Sequence, residues 1–243
     1  MIFNKILHAL KQVKLKQVSI KWQACHLCHW KIQVKLFDDE MGVRCSRCRA
    51  TPVSQMLGKT FKNYHHASDS VYELSSRGAF VRYLKKQKIN LTVSEYFDGV
   101  EPGELLNGVL SQNVEHLTFK DESFDICTSL EVFEHVENDV KGFCEIFRVL
   151  KTGGFLLFTV PICLNQKTTE RTRIINKQRE NVLPAVYHTD SIRGSEKVFC
   201  YRDYGYDIVQ RLEKAGFSDC KIVQSPSHEL WGFARPIIVA KKQ

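Results

Sequence analysis

The sequence predicts an α/β protein: a doubly wound, mostly parallel sheet of seven strands, preceded by a small cysteine-bearing appendage. Three observations carry this reading. From residue 71 onward, short apolar runs alternate with helical patterns, the order of a parallel sheet with helices between its strands. One run, FLLFTVP at 155–161, is apolar throughout, as a strand buried on both faces must be. Before residue 51, two Cys-x-x-Cys pairs enclose an alternating apolar pattern.

The 243 residues suffice for one large domain and an appendage, read here as 67–243 and 1–66. Hydrophobic content of 43% is ordinary for a chain with a real core. No apolar run reaches the ~18–20 residues that cross a bilayer. The opening MIFNKILHALKQVKLKQ is basic, and Asn4, Lys5 and Lys11 interrupt its apolar residues. It lacks the continuous apolar centre of a secretory signal, so an intracellular, cytoplasmic protein is expected. Ile2, Phe3, Ile6, Leu7, Leu10 and Val13 share one helical face. A short amphipathic helix is expected there, docked on the body or lying on a membrane surface.

Net charge is +8, and its location matters more than its size. Residues 1–66 hold 12 Lys and Arg against three acids, Asp38, Asp39 and Glu40. The remainder is nearly balanced. A basic appendage on a neutral body suits an anionic partner such as nucleic acid, a membrane surface or a phosphorylated substrate, or is simply a solvated basic surface.

Within the appendage, Cys25 and Cys28 are two residues apart, as are Cys45 and Cys48, and 16 residues separate the pairs. Each pair can aim both sulfurs at one ion from a tight turn, and two such turns make a tetrahedral four-thiolate site. Trp30, Ile32, Val34 and Leu36 alternate with Lys31, Gln33 and Lys35, a strand pattern, and DDEMG turns the chain back toward Val43. The expectation is a zinc ribbon with a closed structural site. His26 and His29 are surplus to it. Cys127, Cys144, Cys163, Cys200 and Cys220 show no pairing pattern, and Cys127 and Cys144 fall on apolar patterns expected to be core.

Residues 51–70 read as a connector. VYEL is the first strand of the body, and a helix runs from Gly78 to about Ile89. NLTVSEYF is the second strand, a third lies near 108–110, and SFDICTSL is the fourth. A helix spans 138–150, with Gly153 and Gly154 as its stop. FLLFTVP follows, then a helix over 207–215 and the strands CKIVQS and PIIVAKK. Such sheets bind ligands at the carboxyl ends of their strands, where strand order reverses.

The segment FKDESFDICTSLEVFEHVENDVKGFCEIFRVLKTGGFLLFTVP carries F-x-D-x-S-F-D, E-H-V, E-x-x-R-V-L-K-x-G-G and T-V-P in a fixed order. In this it resembles the class I S-adenosylmethionine-dependent methyltransferases of small-molecule type, over about three quarters of the chain. The resemblance implies a Rossmann-like methyltransferase fold with an antiparallel last strand, and S-adenosylmethionine as cofactor. It also implies a set of cofactor positions. Glu73 takes the acid position after the first strand. Ser75, Arg77 and Ala79 stand where the family has glycines, and Gly78 is displaced by one. Glu95, 22 residues after Glu73, is placed to accept ribose hydroxyls, and Tyr96 beside it either packs on adenine or is simply core. Asn113 and the Val114 amide match the adenine-edge positions, and the Ser129 and Leu130 backbone lines the methyl-donor site. Arg77 is the anomaly; its guanidinium can reach the cofactor carboxylate or an acidic substrate.

In SLEVFEHV, a helical turn would put Glu131, Glu134 and His135 on one face. Some quinone-type O-methyltransferases are similar here. His135 is then a base, or all three hold a divalent ion, or the cluster only caps a helix. Residues 164–200 form the insertion that covers substrate in the family; KTTERTRIINKQR, Tyr187, His188 and Asp190 make it polar and basic, and His188 is a second candidate base or a loop histidine. Three functions stay open: methyl transfer to a small or carrier-linked acceptor, RNA methylation using the basic ribbon, or a non-catalytic binding module.

Overall fold

A computed structural model describes residues 17–176, 178–189, 197–226 and 228–243. The expected helix over residues 2–13, and Asp190, lie outside the described residues. The described chain divides into two compact units, each taken by itself below. One holds the residues through His65 together with Arg77–Ile89 and Gln224–Ile237. The other holds His66–Ser76, Asn90–Val223 and Ile238–Gln243.

The first unit begins with an antiparallel sheet of β1 (Ser19–Trp22), β2 (Ile32–Lys35) and β3 (Val43–Cys45). The turn between β2 and β3 closes when Asp39 accepts the Gly42 N–H at 3.0 Å. Residues 51–70, expected to be a connector, instead contain helix α1 (Pro52–Phe61). Its start signal was present in the sequence: the Thr51 hydroxyl accepts from the Ser54 N–H, and Pro52 occupies the first turn. Its apolar stripe was not visible, because Gln55, Gly58 and Thr60 are buried alongside Val53, Met56, Leu57 and Phe61. Gln55 exchanges side-chain hydrogen bonds with buried Gln33 of β2 at 3.0 and 3.2 Å, and donates to the Ala50 carbonyl at 3.0 Å. A Cβ at Gly58 would stand 2.0 Å from Leu27 Cδ2, so glycine is what permits this approach. Helix α2 (Gly78–Lys86) buries Phe80, Val81 and Leu84, with Phe80 edge-on to Phe61 at 5.6 Å.

The second unit is built on β4 (Ser70–Glu73), β5 (Asn90–Glu95), β6 (Leu105–Leu106), β7 (Val109–Ser111), β8 (Phe124–Leu130) and β9 (Leu150–Thr159). Short strands follow: β10 (Ile162–Cys163), β11 (Thr169–Glu170), β12 (Thr172–Ile175), β13 (Gln178–Asn181), β14 (Tyr187–Thr189), β15 (Lys197–Phe199) and β16 (Arg202–Gly205). The chain closes with β17 (Ser218–Val223) and β18 (Ile237–Lys241). The main sheet runs β17-β18-β9-β8-β4-β5-β7-β6. β8, β4, β5 and β7 pair parallel, as do β8 and β9, and β18 pairs antiparallel with β9. The eighth strand, beyond the seven expected, is the two-residue β6, which pairs antiparallel with β7.

Helices α3 (Asp139–Val149) and α4 (Ile208–Lys214) bury Phe143, Ile146, Val149, Ile208 and Leu212 in one cluster with Leu156, Phe158, Ile238 and Ala240. Asn138 caps α3 by accepting the Lys141 N–H at 3.0 Å. Gly153 and Gly154 do not stop this helix. It ends when Leu150 turns extended and enters β9, and both glycines lie within that strand. A Cβ at Gly154 would come 2.7 Å from the Asp125 carbonyl, so this glycine serves close strand approach, while Gly153 supplies a positive φ of 86°. Cys127 is buried as expected, but Cys144 is exposed: the buried face of α3 is set by Gly142, Phe143, Ile146 and Val149, and Cys144 points off it.

Candidate functional site

In the first unit the four cysteines converge. Cys25 and Cys48 sulfurs are 3.6 Å apart, as are those of Cys28 and Cys45, and all four lie within 4.8 Å of one another. Two identical turns build this. His29 N–H donates to the Cys25 carbonyl at 2.9 Å, and Arg49 N–H to the Cys45 carbonyl at 3.0 Å. Both residues take positive φ, 59° and 63°. Such turns are strained for non-glycine residues and persist where their surroundings impose them. Ideal Zn–S bonds of ~2.3 Å in a tetrahedron separate sulfurs by about 3.8 Å, so the donor set fits a zinc-class ion. His26 and His29 are not in the cluster.

In the second unit, strand order reverses at β4, which has β5 on one side and β8 on the other. Glu73 ends β4 and is fully buried. Its Oε2 accepts from the Thr128 hydroxyl of β8 at 2.5 Å, and its Oε1 has no partner. Burial pushes this carboxyl up to about 8, against the Thr128 hydrogen bond. Glu95 ends β5, where one carboxylate oxygen accepts from the Ser76 N–H and hydroxyl, both at 2.8 Å, and from the Ser75 hydroxyl at 3.3 Å. Ser76 and Thr128 were missed in the sequence because nothing in a strand or loop pattern marks a hydroxyl as a carboxylate's partner. Ser129, at the end of β8, is buried with its hydroxyl unpartnered, and Leu130 follows it, in register with Thr159.

Beyond β5 and β7, Tyr96, Phe97, Gly99, Val100, Glu101, Pro102, Ser111 and Asn113 line a cavity of about 150 Å³. Tyr96 is 54% exposed. The Asn113 carbonyl oxygen accepts from the Glu115 N–H at 2.9 Å, so it also shapes its own turn. Val114 packs its side chain on the core. In the first unit, Arg77 precedes α2 in an extended conformation, φ −130°, and Gly78 takes the positive φ of 99°. The displaced glycine thus carries the turn that the arginine cannot, and a Cβ there would meet nothing within 4 Å.

The turn after β8 carries the second group. A short 3₁₀ turn spans Phe133–His135. Glu131 precedes it with φ 52°, so it does not share a helical face with Glu134 and His135. Glu134 is 2% exposed, and among the described residues neither of its carboxylate oxygens has a hydrogen-bond partner. Oε1 lies 3.6 Å from His135 Nε2 and 3.7 Å from His188 Nδ1. Those two ring nitrogens are 3.2 Å apart. His135 Nδ1 is 2.9 Å from the Phe199 carbonyl, which can only accept, so the proton sits on Nδ1 and the Nε2 lone pair faces His188. Cys200 Sγ stands 3.8 Å from His135 Nδ1. Burial opposes a proton on His135, but Cys200, Glu134 and the Phe199 carbonyl outweigh it and raise its pKa. Cys200 first, then Glu134, push His188 up to about 10. Burial resists ionisation of Cys200, yet the two imidazoles lower its pKa.

What holds this turn is Arg202 of β16, buried at 4% exposure. It donates to the Phe133, Val136 and Glu137 carbonyls at 3.0, 2.6 and 2.7 Å. Tyr204 adds a 2.8 Å hydrogen bond to Asp139, which Arg211 also holds at 2.9 Å. Neither Arg202 nor Cys200 was legible as a site residue: their partners lie some sixty residues earlier.

Three comparisons place the chain among known proteins. Residues 73–158 match the family model described as "Methyltransferase domain". The curated 24-methylenesterol C-methyltransferase 3 of Arabidopsis thaliana is 26% identical over 165 residues, covering 63% of this chain and 42% of that protein. The chain therefore spans about two fifths of the length of this relative. Among solved structures, the glycopeptide N-methyltransferase MtfA bound to S-adenosylmethionine aligns with TM-score 0.52 at 14% identity, covering 79% of this chain and 94% of that one. An S-adenosylmethionine dependent methyltransferase from Mesorhizobium loti aligns with TM-score 0.48 at 14% identity, covering 76% and 96%.

Proposed function

We propose that this chain, which carries a class I S-adenosylmethionine-dependent methyltransferase domain, transfers the methyl of S-adenosylmethionine to an oxygen or nitrogen of a small-molecule or carrier-linked acceptor. The observation that carries the reading is the pair Glu73 and Glu95, which end adjacent parallel strands where strand order reverses. The residues fit the cofactor. Glu95 already accepts two hydroxyls and an amide N–H, the donors a ribose diol offers in kind. Tyr96 and Asn113 line a cavity suited to a flat base, with the Val114 amide next in sequence. Ser129 and Leu130 end β8 beside the unpartnered Ser129 hydroxyl. Ser75 lies beside Glu95, and Arg77 and Gly78 follow it in sequence, with Gly78 supplying a positive φ.

Bound S-adenosylmethionine supplies a methyl already activated on a sulfonium, so the protein mainly aligns acceptor and methyl and relieves the acceptor of its proton. Glu134 and His135 are assigned that second task, with Glu131 at the mouth of their turn. The relative's sterol acceptor is a low-molecular-weight molecule, which supports the small-molecule class. The four cysteines are assigned a structural zinc ion, with all four positions filled by protein. One observation favours a second reading, RNA methylation: the Arg47 guanidinium lies 5.7 Å over the ring of Trp30, itself 41% exposed, on the basic ribbon.

Titration calorimetry of S-adenosylmethionine and S-adenosylhomocysteine against the zinc-loaded protein tests the main reading, with Glu95→Ala as control. Micromolar binding that the variant loses is the expected result. No binding to folded protein would favour a non-catalytic binding module. RNA binding that weakens steeply with salt would favour the second reading.

A further inference from the structure

We infer that His135, His188 and Cys200 are the ligands of a second metal site, built for a borderline transition ion of the zinc class, with the Glu134 carboxylate facing the same ion. One donor atom from each of the three lies within 4.8 Å of the other two. His135 is in ligand-ready form. The Phe199 carbonyl takes the Nδ1 proton of His135 and leaves Nε2 bare, the backbone-carbonyl arrangement that orients metal-binding histidines. His135 Nε2 and His188 Nδ1 are 3.2 Å apart, against the ~3.4 Å that two ~2.1 Å bonds subtend at tetrahedral zinc.

An independent observation points to a cation. Glu134 is buried, and among the described residues neither of its oxygens has a hydrogen-bond partner. Burying a carboxylate this way is costly unless positive charge stands beside it. Its Oε1 sits 3.6 Å from His135 Nε2 and 3.7 Å from His188 Nδ1, the two nitrogens assigned to the ion. A divalent ion is neutralised by one thiolate and one carboxylate.

The donor set decides the class of ion. Two imidazoles and a thiolate select zinc-like ions over magnesium, which takes oxygen ligands. This differs from an ion held by Glu131, Glu134 and His135, which would be mostly oxygen-bound. Three protein ligands leave a position open, as catalytic zinc sites do. An acceptor hydroxyl bound there would lose its proton more readily. That role rests on the methyl-transfer reading, and in it His135 binds the ion and leaves proton removal to Glu134; the site itself does not rest on that reading, and it can exist in a chain that never binds S-adenosylmethionine.

The test uses the full chain, with zinc and cobalt(II) as probes. Metal per chain is measured by mass spectrometry for the wild type, Cys200→Ser and His188→Ala. The expected result is two ions in the wild type and one in each variant, the retained ion reporting an intact four-cysteine site. Cobalt loaded at the second site should show a thiolate charge-transfer band that Cys200→Ser abolishes, and excess magnesium should not displace it. One ion per wild-type chain overturns the proposal. So does a second ion that both variants retain at unchanged affinity, or one that magnesium displaces readily. Calorimetry of S-adenosylmethionine on the same samples separates the two readings, since failure of either leaves the other result standing.

Discussion

The two clusters of side chains that could hold a metal ion, one in each unit, are assembled by opposite routes. The four cysteines come from two local turns within residues 25–48, each closed by its own backbone hydrogen bond. The His135, His188 and Cys200 cluster joins residues 53 and 65 positions apart. The first is written in spacing. The second depends on a strand far along the chain, where Arg202 grips the turn that carries Glu134 and His135. Local closure orders few residues, whereas distant closure relies on the whole fold to hold its ends together.

The comparison can be broken most forcefully at the ribbon. Cys45→Ser should unfold the first unit, because about 10 kcal/mol or more of folding free energy in such sites comes from the ion. Near-ultraviolet circular dichroism with and without a chelator checks this, and Cys200→Ser should leave that transition in place. Next in size is Arg202→Met, which leaves three turn carbonyls without their donor. A loss of about 3 kcal/mol or more is expected, read by urea unfolding, together with weaker metal binding at the second cluster.

Glu73 supplies a pH test. Its carboxyl rises from an ordinary 4.5 to about 8 in the folded state. The folded chain therefore holds a proton that the unfolded chain releases. Its stabilising contribution is complete below about 4.5 and is lost as pH rises toward 8. Glu73→Gln should flatten this loss, so the variant's melting temperature should gain on the wild type across that window. Parallel curves would show that burial of Glu73 has no such effect. The smallest expected effect is at the cap of α3: Asn138→Ala should cost about 1 kcal/mol in denaturant unfolding and leave both clusters intact, sharpening the contrast between local and distant support.

Much of the fold was legible, and the exceptions share a cause. Strands β4, β5, β8, β9 and β18 stand where apolar runs and turn residues put them. Helix α1 was missed because its buried side includes glutamine and threonine, whose burial depends on partners such as Gln33. The role of Gly153 and Gly154 was misread because a helix stop, a positive φ within a strand and a close strand approach all call for glycine. Arg77 looked like an obstacle in the loop after β4, where Gly78 carries the turn.

By itself, the sequence determined the mostly parallel sheet, the pairing of the cysteines into one cluster and the two strand-end carboxylates. Each follows from short-range rules: the periodicity of apolar residues, the geometry of Cys-x-x-Cys turns and the place where a strand stops. Only the tertiary structure decided that Ser75 and Ser76 hold Glu95, that Thr128 holds Glu73, and that two histidines, a cysteine and a buried carboxylate meet at the turn that Arg202 holds. Those meetings are set by which strands become neighbours, and burial then charges each polar group for any partner it lacks.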